Sequence, residues 1–156
     1  SMSAVELRRS AGGAATHAAS GPATDYHALG AFTETWAFLE LFLGRCAETA
    51  GALVEGDVSA RAEALARVVQ ASPEFAPLAG KACTLAREAA DLARRRRALL
   101  EDLAYASLRR MGVEVCNAPP AGPPAGLDAL HMSACDLVRR TVLLLGQLKA
   151  RRGGSA

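Results

Sequence analysis

Between Leu29 and Ala50 the apolar positions recur at alternating steps of three and four. Leu29, Phe32, Trp36, Leu39, Leu43, Cys46 and Ala50 therefore fall on one narrow stripe of a 3.6-residue helix, which is a packing seam. The stripe carries the only tryptophan, so the alanine-rich remainder of the chain is expected to assemble around it. This helix is predicted to start near Thr24 or Asp25, either of which caps free backbone N–H groups, and to run to about Glu55. Gly44 and Gly51 lie inside that span and each weakens it by about 1 kcal/mol, so a kink or local break is expected near Gly51.

Gly56-Asp57 reads as a tight connection to a shorter helix over about 58–71, whose apolar residues are Ala62, Leu65, Val68 and Val69. Ser72-Pro73-Glu74 reads as a restart, with a capping hydroxyl, a proline where no N–H is needed and an acid at the positive end of the dipole. Pro77 predicts one short turn before a long helix over about 77–111 that Gly112 closes. The seam of this helix is Leu78, Ala82, Leu85, Ala89, Leu92, Leu99, Leu103 and Ala106. Residues 113–126 contain Pro-Pro-Ala-Gly-Pro-Pro and are expected to form a linker or surface loop, because proline removes donors and restricts the residue before it. Leu127, Leu130, Ala134, Leu137, Thr141, Leu144 and Leu148 mark a last helix to about Arg151, stopped by Gly153-Gly154.

Residues 1–23 lack a sustained apolar period and read as a flexible arm, in which Val5 and Leu7 seed at most a short helical turn carrying Arg8 and Arg9 before Gly12-Gly13. The expected fold is all-α: an antiparallel bundle of about four helices over residues 24–152, with a disordered N-terminal arm, a Pro-rich loop before the last helix and a flexible tail at 153–156. The second helix covers under half the length of the first, so either the third overhangs or the first breaks early.

Composition sharpens this in two ways. Apolar residues make up 51% of the chain but aromatic ones only 4%, and isoleucine is absent. That bias favours close-packed helices over sheets, and no strand is predicted. Eighteen basic residues face sixteen acidic ones, for a formal charge of +2, too balanced to argue for nucleic acid, which is not expected as a partner. Cys46, Cys83, Cys116 and Cys135 lack a Cys-x-x-Cys spacing and read as reduced cysteines, mostly in the core. No secretory pattern and no apolar run of about 18 residues occurs, so an intracellular home is expected, cytoplasmic or nuclear. Ser1-Met2 has the look of a cloning remnant ahead of a domain cut from a longer protein.

Candidate chemistry is sparse. Phe38 and Leu41 lie on the far side of the first helix from Trp36, beside Glu34, Arg45 and Glu48. A second apolar strip must be covered by another part of the chain, by a second copy or by a partner. Phe38, Leu41 and Phe42 are therefore the partner-binding candidates, with self-association as one form. Arg94, Arg95, Arg96 and Arg97 form a basic run, but at about 100° per residue four in a row encircle the helix and make no flat phosphate-binding face. Arg96 points toward the seam, where Glu40 is its expected partner in a partly buried pair. Arg94, Arg95 and Arg97, with Lys149, Arg151 and Arg152, offer at most a weak attraction to an acidic partner or an anionic membrane.

His17, His27 and His131 stand in no catalytic spacing with a cysteine and a carboxylate. His131 and Cys135 share a helix face, but two ligands do not make a zinc site. No cofactor, metal or catalytic residue is expected. The reading is a non-catalytic adaptor or scaffold domain, possessing a protein-binding helix face and able to form a homodimer. Its alternatives are a regulatory or targeting domain of a larger enzyme and a secreted four-helix cytokine-like signal. The last is opposed by the short connections between the first three helices, since up-up-down-down bundles use long crossovers.

Overall fold

A computed structural model of the chain describes residues 7–9, 23–120 and 126–154. Helix α1 spans Tyr26–Ala50, α2 Val58–Ala71, α3 Ala79–Arg110 and α4 Leu127–Gly153, with a 3-10 segment at Pro73–Leu78 between α2 and α3. The all-α, four-helix architecture that the periodicity predicts is present.

Asp25 opens α1 by accepting a hydrogen bond from the Ala28 N–H at 3.0 Å. The helix stops at Ala50 rather than near Glu55, so the break expected at Gly51 is its end. Gly51 takes φ 97°, its N–H bonds to the carbonyls of Ala47 and Glu48, and the Ala52 N–H reaches Ala47 at 2.8 Å. A left-handed residue closing these bonds reverses the chain at no steric cost when that residue is glycine. Residues 52–55 then run back along α1, where a β-carbon added at Gly44 would meet Val54 at 3.2 Å. After Gly56, Asp57 caps α2 by accepting from the Ala60 N–H at 2.9 Å.

Paired contacts give the helix directions. Thr35 meets His131 and the Cys46 thiol meets the Thr141 carbonyl, so α1 and α4 run the same way. Lys81 meets Gln147 and Glu88 meets Arg140, so α3 runs against α4 and hence against α1. Helix α2 begins where Arg61 reaches Glu40 and ends where Gln70 reaches Cys83; it climbs with α1 and returns through α3. Antiparallel order therefore holds at α2/α3 and α3/α4, whereas α1 shares its direction with both of its packed neighbours, α2 and α4. The extended return of residues 52–55 is the cause, and it shows that a short connection does not force neighbouring helices to alternate. The resulting order still departs from up-up-down-down, because α4 points with α1.

Around this frame α1 packs on α2 and α4, and α3 packs on the same two from the opposite corner. The core holds Phe32, Trp36, Leu39 and Leu43 of α1, Leu65 and Val69 of α2, Phe75 of the 3-10 segment, Leu85, Leu92 and Leu99 of α3, and Leu130, Leu137, Leu144 and Leu148 of α4. Between them Ala47, Ala62, Ala82, Ala89 and Ala134 are fully buried, which lets the backbones approach closely. Buried Thr141 satisfies its hydroxyl by donating to the Leu137 carbonyl at 2.6 Å.

Two expectations about loops are corrected. Leu7–Arg9 is a short strand, β1, not a helical turn, and pairs antiparallel with β2, Val113–Val115, with Leu7 opposite Val115 and Arg9 opposite Val113. The start of the expected 113–126 loop is thus a two-stranded ribbon beside the C-terminal end of α3. The rest of the expected arm up to Pro22, the Pro-rich residues 121–125 and the last two residues of the tail lie outside the described residues. No described helix is long and apolar enough to cross a membrane.

Candidate interaction surface

Helix α1 presents two different faces. The inner one carries the seam. On the outer one Phe38 is 44% exposed and Leu41 49% exposed, Phe42 is half-buried beside them, and Glu34, Arg45 and Glu48 are exposed around them. Arg45 and Glu48 form an exposed pair at 3.3 Å, which contributes little in water. Because α2 packs along the other flank of α1, it does not cover Phe38 and Leu41.

Helix α4 extends this face. The register set by Thr35 with His131 and Cys46 with Thr141 places Val138 and Val142 along the edge that carries Phe42. Val138 is half-buried and Val142 is 42% exposed. Sequence reasoning passed over both, although the signal was present: the run Val142-Leu143-Leu144-Leu145 holds more apolar residues than one seam absorbs, so some must face outward.

The basic candidates are dispersed as their helical spacing dictates. Arg94 pairs with Asp91 at 3.3 Å. Arg95 lines a groove of about 530 Å³ between α3 and α4, together with the acids Glu88, Asp91 and Asp136 and the basic Arg87 and Arg140. Arg97 is exposed on α3. None of the three lies on the outer face of α1. Arg151 and Arg152 turn instead to the carbonyls of Glu74 and Thr49 at the far end of the bundle, so the two basic groups do not form one patch.

The expected Glu40–Arg96 pair is not formed. The Glu40 carboxylate lies 3.8 Å from Arg61, whose guanidinium also donates to the Glu40 carbonyl at 3.2 Å. Arg96 lies over the Trp36 ring, 5.0 Å from its centroid. The physical reason is the position of α2: its first turn sits beside Glu40 and it runs up along the C-terminal half of α1, and below that level the indole and the guanidinium lie between the diagonal helices α1 and α3. Arg96→Ala is expected to cost about 0.5–1 kcal/mol and to shift Trp36 fluorescence to longer wavelength as water reaches the ring. Urea unfolding and emission spectra check both.

In the groove, Arg140 is shared by Glu88 on α3 and Asp136 on its own helix. The hydrogen bond from Arg139 is the main cause holding the Asp136 carboxyl below its usual range, with Arg140 adding to it. Acids and bases alternate along this groove, so it carries no field of one sign.

The titratable residues do not converge on a reaction. His131 is half-buried, bonded to Thr35 at 2.9 Å and set edge-on to Phe32. Cys135 is exposed on the same helix, and among the described residues no third His, Cys, Asp or Glu joins them. The expectation of mostly buried cysteines holds for Cys46 alone; Cys83 is half-buried, while Cys116 and Cys135 are exposed. Burial pushes the Cys46 thiol up from 9.0 to about 12, against an opposing pull from Lys149. A raised thiol pKa means that its stabilising contribution is complete below pH 9 and is lost as pH climbs toward 12. Thiol labelling at about pH 8 is accordingly expected to modify Cys116 and Cys135 in the folded protein and Cys46 only after denaturation, as peptide mass mapping will show.

No family model matches this sequence, and no curated protein or solved structure matches it either.

Proposed function

We propose that this chain is a non-catalytic interaction module that presents the outer face of α1, edged by α4, to another protein surface. The observation that carries the reading is the exposure of Phe38 and Leu41 on a helix whose core seam is already complete. Two large apolar side chains left in water on a rigid helix, with half-buried Phe42 beside them and charges around them, have the anatomy of a small protein interface. Adaptor or scaffold work fits this better than turnover, since His131 is bonded to Thr35 and the acids and bases of the α3/α4 groove pair with one another. The basic residues Arg94, Arg95 and Arg97 have no part in it.

The test is the double variant Phe38→Ser with Leu41→Ser. Both side chains are outside the core, so its helicity and unfolding midpoint are expected to stay close to wild type, within about 1 kcal/mol. Proteins that cross-link to the wild-type chain in cells are expected to be lost. A variant that fails to fold, or one that folds and keeps every cross-linked protein, overturns the reading.

A further inference from the structure

We infer that the occupant of the α1 face is a second copy of this chain, docked with its own α1 antiparallel about a two-fold axis; the inference rests on the interaction-module reading above. The argument is in the order of residues along the outer stripe. Glu34, Phe38, Leu41 and Arg45 stand at steps of four, three and four, the spacing of a helix-to-helix seam, and all four are exposed. That spacing is symmetric about the midpoint between Phe38 and Leu41. When two such helices cross antiparallel at this point, Phe38 of one meets Leu41 of the other, and Glu34 of one meets Arg45 of the other, each twice by symmetry. The stripe is complementary to itself in both shape and charge. A parallel pair would instead place Glu34 on Glu34 and Arg45 on Arg45.

The outer stripe is open to solvent along its length, since Glu34, Phe38, Leu41 and Arg45 are all exposed. Helices α2 and α4 flank α1 on its inner sides, and Phe42 with Val142 extends the apolar centre along one edge. Among the described residues the Arg45 guanidinium is held by the exposed Glu48 contact, a weak pair that a second carboxylate can replace. A seam of this length belongs to the small, reversible class of interface, with a dissociation constant of about 1–50 μM.

Charge reversal tests the register. Glu34→Arg sets a guanidinium against the Arg45 of the other copy, and Arg45→Glu sets a carboxylate against its Glu34. Each single variant is expected to fold as wild type by circular dichroism and to dimerise at least about 10-fold more weakly in sedimentation equilibrium. An equimolar mixture of the two is expected to recover the dimer. In the mixed pair the introduced guanidinium faces the introduced carboxylate, and the Arg45 kept by one chain faces the Glu34 kept by the other. Recovery on mixing is a readout that misfolding of either variant cannot mimic. A wild-type chain that stays monomeric at about 500 μM, well above the expected constant, overturns the assignment of a second copy, as do reversals without effect or a mixture that stays monomeric. The Phe38/Leu41 comparison in cells decides the broader reading separately, since it registers any protein on this face.

Discussion

Phe75→Ala is expected to lower the unfolding free energy by about 3–5 kcal/mol, read from urea unfolding followed by Trp36 fluorescence and by circular dichroism. Phe75 is fully buried in the 3-10 segment, which packs against α2, α3 and α4 at once. Pro73 and Pro77 restrict that segment, and the Phe75 N–H bonds to the Ser72 carbonyl at 3.0 Å. A backbone held this tightly cannot slide inward to fill the space a phenyl ring leaves, so the cavity term adds to the lost transfer energy. The loss falls at the end of the bundle where α2 turns into α3. If the segment were a loose connector, the substitution would cost under about 1 kcal/mol, as surface changes do.

The inner seams were legible because helical periodicity and burial report the same quantity. Six of the seven α1 stripe residues are buried, with only Leu29 in the first turn half-exposed. The α4 stripe from Leu130 to Leu148 is buried throughout. In α3 the stripe holds as far as Leu99, after which Leu103 and Ala106 are half-exposed, because α2 does not extend to that level. Helix direction was not legible. It depends on residues 52–55 turning back beside Gly44, and the only local signs are two glycines with positive φ at 51 and 56. Sequence identifies glycine but not the sense in which the chain leaves it. The ribbon of β1 and β2 was missed for a related reason: three residues on each strand give too short an alternation to rise above chance, and their pairing joins positions far apart in the sequence, on either side of the first three helices.

At the candidate surface, the outward position of Phe38, Leu41, Glu34 and Arg45 followed from one helical wheel, since all four lie on one element. Partners on other elements did not follow. Glu40 and Arg96 both lie near the seam, and a pairing rule based on opposite charge joined them. The actual choice was made by where α2 starts, which delivers Arg61 to Glu40 and leaves Arg96 over an indole. Exposure of the cysteines failed in the same way, because the helical patterns around Cys83 and Cys135 showed that a helix exists but not how far its buried stripe reaches around.

Leu65→Ala is expected to cost about 2–5 kcal/mol and to do so unevenly across the bundle. Helix α2 has 14 residues, too few to stand alone in water, and it is held by Val58, Ala62, Leu65, Ala66 and Val69. Leu65 is the largest of these and is fully buried in a helix that packs on both α1 and α3. Removing its isobutyl group takes away the main anchor while leaving the α1/α4 contact untouched. Helix α2 is then expected to open before the remainder unfolds, as a local unit of low stability. Hydrogen exchange read by mass spectrometry will separate the outcomes: protection should fall first in 58–71 and only later in the α1 and α4 seams. Uniform loss of protection would mean that α2 is bound into one cooperative unit with the other helices. Under the proposed assembly the same variant should still dimerise in mild conditions, because Glu34, Phe38, Leu41 and Arg45 lie on the face of α1 that α2 does not touch.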